Sequence, residues 1–195
     1  AKVTDSGRMQ MFWNGQKIVD LSRAFLDTSG CAKKQDAKIS HLQEVNSNSI
    51  EFNEDNFYKI LAEKNTASQK GLVEMFDSTV GATTVALPFG GKYQTTETEG
   101  CVQTLPILNA ENIETVSYAS WGFDAEISKQ NSMIGASLAV VESVAKIVAM
   151  GGNFRNVRLS FQEYFEKLGN NSEKWGKPLA SLLGAYDAQM NLGLA

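Results

Sequence analysis

The stretch "IGASLAVVESVAKIVAMGG", residues 134–152, constrains this chain more than any other. It reads as one long helix over about 134–150, stopped at Gly151-Gly152. Almost all neighbours of Glu142 on that helix are apolar, so its carboxylate is expected to be partly desolvated and to need a cation. Lys146 lies four positions on, on the same face and in the favourable acid-to-base order. An internal ion pair is the simpler reading, and an oxygen ligand for Mg2+ the sharper one. The longest apolar stretch, 134–141, ends at Glu142 and is too short to span a bilayer.

Other elements are placed around this helix by pattern. "RMQMFWNGQKIVDL" sets two β-prone runs about Asn14-Gly15, a dipeptide suited to a tight hairpin turn. "DLSRAFLDTSG" predicts a short helix or turn with Ser22 as N-cap and Gly30 as stop. Residues 31–56 shift to Lys, Gln, Ser, Asn and Asp and read as a linker. Short helices are expected at "NEDNFYKILAEKN" and "ASQKGLVEMFD", and strands at "TTVALPF", "CVQTLPIL" and "ETVSYASWGF". After the long helix come a strand-like "NVRLSF", a short helix in "FQEYFEKLG", and a last helix in "SEKWGKPLASLLGAYDAQMNLG". Strands grouped before helices suggest an α+β layer architecture, a sheet covered by helices on one face.

Composition excludes some functions. A formal charge of −4 and a pI near 5.1 argue against electrostatic binding to nucleic acid or to an anionic membrane. Cys31 and Cys101 have no metal-ligand spacing and read as reduced structural thiols of a cytoplasmic protein. His41 lies in a polar run and reads as solvated surface, so no Ser/His/Asp or Cys/His nucleophile set can be built. Trp121, Phe123, Trp175 and Tyr186 read as packing residues. In "PFGGKYQ", Gly90-Gly91-Lys92 lacks the spacing and the Ser or Thr of a phosphate loop, since Tyr93 follows the lysine. A strand-to-strand turn is the reading there.

Four stretches taken in order carry a resemblance: "TASQKGLVEMFDSTVGATTV", "GASLAVVESVAKIVAMGG", "VRLSFQEYFEKLG" and "KPLASLLGAYDAQMNLGL". Together they resemble the second half of the synthetase region of phosphoribosylformylglycinamidine synthase, in its long single-chain form. The opening "VTDSGRMQMFWNGQKIVDLSRAFLDTSG" resembles the end of the first half. The resemblance implies a tail of the preceding subdomain at 1–30, the linker at 31–56, and at 57–195 an incomplete subdomain like the N-terminal part of aminoimidazole ribonucleotide synthetase. In that fold a helix-covered sheet pairs with a second one to form a barrel. The chain opens on an unpartnered hairpin and ends just after a helix, so a boundary inside a larger protein is expected.

The implied activity is ATP- and glutamine-dependent conversion of formylglycinamide ribonucleotide to formylglycinamidine ribonucleotide in purine synthesis. Implied partners are the remaining synthetase and glutaminase domains, with Mg2+ and ATP or ADP at an auxiliary site. The isolated chain is expected to be inactive, and to form a homodimer through its sheet. The family's Mg2+ ligands imply Glu142 and, with a shift of one residue from Gly100, Glu99. Lys146 stands where the family carries Asn, so the site is expected to be degenerate, with the ammonium replacing the metal and pairing with Glu142 or a nucleotide phosphate. The alternative is a purely structural half-domain. Relatives in selenophosphate or thiamine-phosphate metabolism would need glycine-rich and acidic N-terminal segments that do not occur here.

Overall fold

The structure is a computed structural model that describes residues 1–28, 34–40, 42–46, 50–64, 66–76, 78–109 and 112–194. The expectations for Gly30, Cys31 and His41 lie outside the described residues.

Strands β1 (Arg8–Trp13) and β2 (Gln16–Ser22) form an antiparallel hairpin. Asn14 and Gly15 turn it with φ of 48° and 76°, positive at both central positions as a type I′ turn requires. Pairing of Met9 with Leu21 and Met11 with Val19 sets an apolar face. On the polar face Asp20 takes Arg8, Lys17 and Gln10 at 2.5, 2.9 and 3.2 Å. Hydrogen bonds from Lys17 and Arg8 hold the Asp20 carboxyl well below the usual range. Ser22 Oγ then accepts the Phe25 N–H at the start of α1 (Arg23–Thr28).

Helix α2 (Glu54–Leu61) is capped by Asn53, and the single turn α3 (Lys70–Val73) follows. Strands β3 (Thr84–Ala86), β6 (Cys101–Thr104) and β7 (Val116–Ala119) form an antiparallel sheet in the order β3-β6-β7. Between them β4 (Phe89–Gly90) and β5 (Thr96–Glu97) make a second small hairpin. Gly91, at φ 80°, opens the turn joining them, and no helix follows, so Gly90-Gly91-Lys92 turns a corner. The architecture is mixed α/β, and none of the sheets formed by the described residues closes into a barrel.

The core lies between two long helices. Helix α4 (Ala125–Gln130) runs into α5 (Ser132–Ala149), and α6 (Ser172–Leu192) closes the chain. Ser181 Oγ donates to the Ser132 carbonyl and Ser137 Oγ to the Gly184 carbonyl, so α5 and α6 run side by side in the same direction. Val140 and Val144 pack against Ala185, Ala188 and Leu194, with Phe154, Val157 and Leu159 closing the cluster. Close approach is possible because a Cβ at Gly184 would overlap the Met133 carbonyl.

By length and composition α5 could cross a membrane, with a mean hydropathy of 1.6 over 18 residues. Here it serves as the core helix against α6. The apolar window runs past Glu142 to Ala149, farther than the 134–141 stretch, and the two charged residues within it, Glu142 and Lys146, pair with each other.

Two expected elements are absent. Residues 157–168 form neither the strand predicted from "NVRLSF" nor the helix predicted from "FQEYFEKLG". The alternation at Val157 and Leu159 reflects burial on the helix core rather than pairing with a neighbouring strand. In the following run Tyr164 is 87% exposed and only Phe165 and Leu168 are partly buried, and a short helix with so little to bury gains too little to form.

Residues 34–40 and 42–46 are strapped across the N-terminal ends of α5 and α6. The Lys38 N–H donates to the Ser172 carbonyl at 2.8 Å, and Gly176 lies directly against the Lys38 carbonyl. Asn131, only 5% exposed, donates to the Gln43 carbonyl and accepts the Met133 and Ile134 N–H groups. One buried side chain therefore caps α5 and pins the strap, with its donor and acceptor both used.

Candidate functional site

The charged cluster is built on the α5 face opposite α6, where loops from the sheet reach the helix. Glu142 and Lys146, one turn apart, join Nζ to Oε1 at 2.7 Å. A second carboxylate arrives from the loop before β6, where Glu99 Oε2 lies 2.8 Å from the same Nζ. The Trp121 ring centroid is 5.2 Å from Nζ, within cation–π range.

The loop after β7 is held on α5 by three contacts. Ser120 Oγ donates to the Ser143 carbonyl at 2.7 Å. Gly122 sits where any Cβ would overlap the Ala139 carbonyl, so only glycine lets the loop lie this close. The Phe123 N–H donates to Glu142 Oε2 at 3.1 Å. Both oxygens of Glu142 are thus engaged, one by the ammonium and one by the backbone.

The Lys146 side chain is 15% exposed, against 41% for Glu142 and 59% for Glu99. Burial pulls the ammonium pKa down, but hydrogen bonds and charge from Glu142 and Glu99 outweigh it and hold it above the ordinary lysine value. The lysine stays charged, and the three groups sum to a formal −1.

The two residues predicted as metal ligands are therefore brought together, and Lys146 stands between them. Gly100, the other position for the first ligand, is buried, and a side chain there would have to displace Met150. Mg2+ demands near-octahedral oxygen ligation. Two carboxylates already bound to an ammonium, one of them with its second oxygen taken, do not fit that ion. Among the described residues, no group of three or more His, Cys, Asp or Glu could hold a metal. Lys92 lies over Tyr93 instead, 5.3 Å from the ring centroid.

Sequence reasoning missed Trp121 as a partner of the ammonium and the Phe123 amide as a partner of Glu142. Neither leaves a linear signal, because both reach α5 only through the loop. A separate cavity of about 270 Å3, lined by Ser78, Thr84, Ala86, Pro88, Gly100, Cys101 and Gln103, opens beside β6. Its polar groups bond one another: Gln103 Nε2 donates to Thr84 Oγ1 and to the free thiol of Cys101, both at 3.3 Å.

Comparison with known proteins finds similarity to one kind of protein. The chain is 27% identical over 159 residues to phosphoribosylformylglycinamidine synthase subunit PurL of Campylobacter hominis, covering 77% of this chain. It is 25% identical over 154 residues to the same subunit of Campylobacter lari, again covering 77% of this chain. The chain is similar to PurL. It spans about 20% of the length of these relatives. No family model matches, and no solved structure matches.

Proposed function

We propose that the chain is a segment of the synthetase region of a phosphoribosylformylglycinamidine synthase and contributes to making formylglycinamidine ribonucleotide in cytoplasmic purine biosynthesis. The observation that carries this reading is the similarity to PurL over three quarters of the chain. In this reading the amide oxygen of the substrate is activated by the γ-phosphate of ATP, and ammonia released from glutamine displaces phosphate. The segment works with the remaining synthetase and glutaminase parts and has no turnover alone.

A strain lacking this coding segment should need added purine, and growth without purine would sink the reading. ATP- and ammonia-dependent product formation by the isolated chain would refute its inactivity alone.

A second reading is favoured by one observation, the ammonium of Lys146 seated between Glu99 and Glu142. Here the segment is a structural half of the synthetase region with a degenerate nucleotide site. The two readings are compatible, since a half that binds no nucleotide can still shape the half that does.

A further inference from the structure

We propose that the Lys146 ammonium is a tethered cation that takes the place of a divalent ion between Glu99 and Glu142 and closes this cluster to metal. The inference rests on the second reading above and names what makes the site degenerate.

Two carboxylates delivered by separate elements, the loop before β6 and helix α5, converge within 2.8 Å of one nitrogen. Two acids drawn together beside an apolar helix repel each other unless a positive charge sits between them. Lys146 supplies that charge from the same helix as Glu142, with the Trp121 ring on its flank. The Phe123 N–H holds the other oxygen of Glu142, so the carboxylate is fixed in the orientation that faces the ammonium.

An incoming divalent ion must displace an ammonium that cannot diffuse away, because its stem is anchored one helical turn from Glu142. The ion would also meet a cluster of formal charge −1 and a like charge at its centre. A bare nucleotide phosphate fares no better, since both carboxylates face it and two donors of Lys146 are already used. Without the ammonium, the cluster becomes a −2 pair of hard oxygen ligands with no cation between them.

The test is titration of the intact protein with Mn2+ alone, free Mn2+ being read by its paramagnetic resonance signal and folding by near-ultraviolet circular dichroism. The wild type should show no saturable binding that depends on Glu142. Lys146→Ala should gain one site binding about tenfold or more tightly than any wild-type site, and Lys146→Ala/Glu142→Gln should lose it.

Saturable wild-type binding that disappears in Glu142→Gln would overturn the proposal. So would a folded Lys146→Ala that binds no more tightly than wild type. If that variant fails to fold, Lys146→Gln keeps the stem beside Trp121 and is judged by the same two criteria, while the wild-type and Glu142→Gln comparison stands by itself. Failure of the synthase reading shows separately, as growth of the deletion strain without purine, and does not depend on the Mn2+ result.

Discussion

At the scale of single residues, Lys146 decides how the α5 charges are tolerated. Its partners are more exposed than it is, so the network is worth less than a fully buried one but more than a surface pair. Lys146→Met should cost about 1–2 kcal/mol, because it leaves two carboxylates facing each other. Glu99→Gln should cost under about 1 kcal/mol, since that carboxylate is the more exposed. Urea midpoints for the two variants and their double mutant would measure the coupling. The sign of the pH effect follows from the raised lysine pKa. The contribution is complete below the unfolded-state pKa and is lost as pH rises through the folded-state value. Alkaline unfolding of wild type should therefore steepen above the ordinary lysine range, and Lys146→Met should lack that component. The Glu142–Lys146 pair was legible from spacing alone. Glu99 was reached only through the resemblance, and Trp121 not at all, because their convergence on Nζ is set by how two loops dock.

At the scale of elements, caps and turns were the readable features. Ser22 and the Asn14-Gly15 turn each act within a few residues of themselves, and local chemistry is what a sequence pattern records. The 157–168 run shows the opposite case, where alternation and helical spacing mark the side that is buried but do not supply a pairing partner. The α5–α6 contact offers a direct test. Gly184→Ala gains about 1 kcal/mol of helix propensity. It also forces a methyl group into the Met133 backbone, at a cost of about 1–3 kcal/mol. The packing term should win, and a lowered melting temperature checks it. Asn131→Ala should cost about 1–3 kcal/mol, since it removes a cap and leaves the Gln43 carbonyl without its donor.

At the scale of the whole molecule, burial is uneven. The α5–α6 cluster holds most of the buried apolar side chains, while Phe12, Trp13, Tyr58, Leu72, Met75 and Phe76 are half or more exposed. In the proposed synthase reading such surfaces would meet the rest of the synthetase region, and the two PurL relatives are about four times the length of this chain. Urea unfolding followed by hydrogen exchange should accordingly report unequal stability. Amides of α5 and α6 should be the most protected, and those of α2 and the β1–β2 hairpin should exchange first.

The strap has a consequence for the order in which the chain assembles. Its bonds to the helical layer span 84, 88 and 135 positions of sequence. Contacts so distant cannot lead, because each closes a long loop before any local energy compensates for the lost freedom. The helices must first be side by side, since Lys38, Gln43 and Asn46 bond to residues at the starts of both α5 and α6. Docking of the strap is then a late event, and substitutions there should speed unfolding while leaving the refolding rate nearly unchanged.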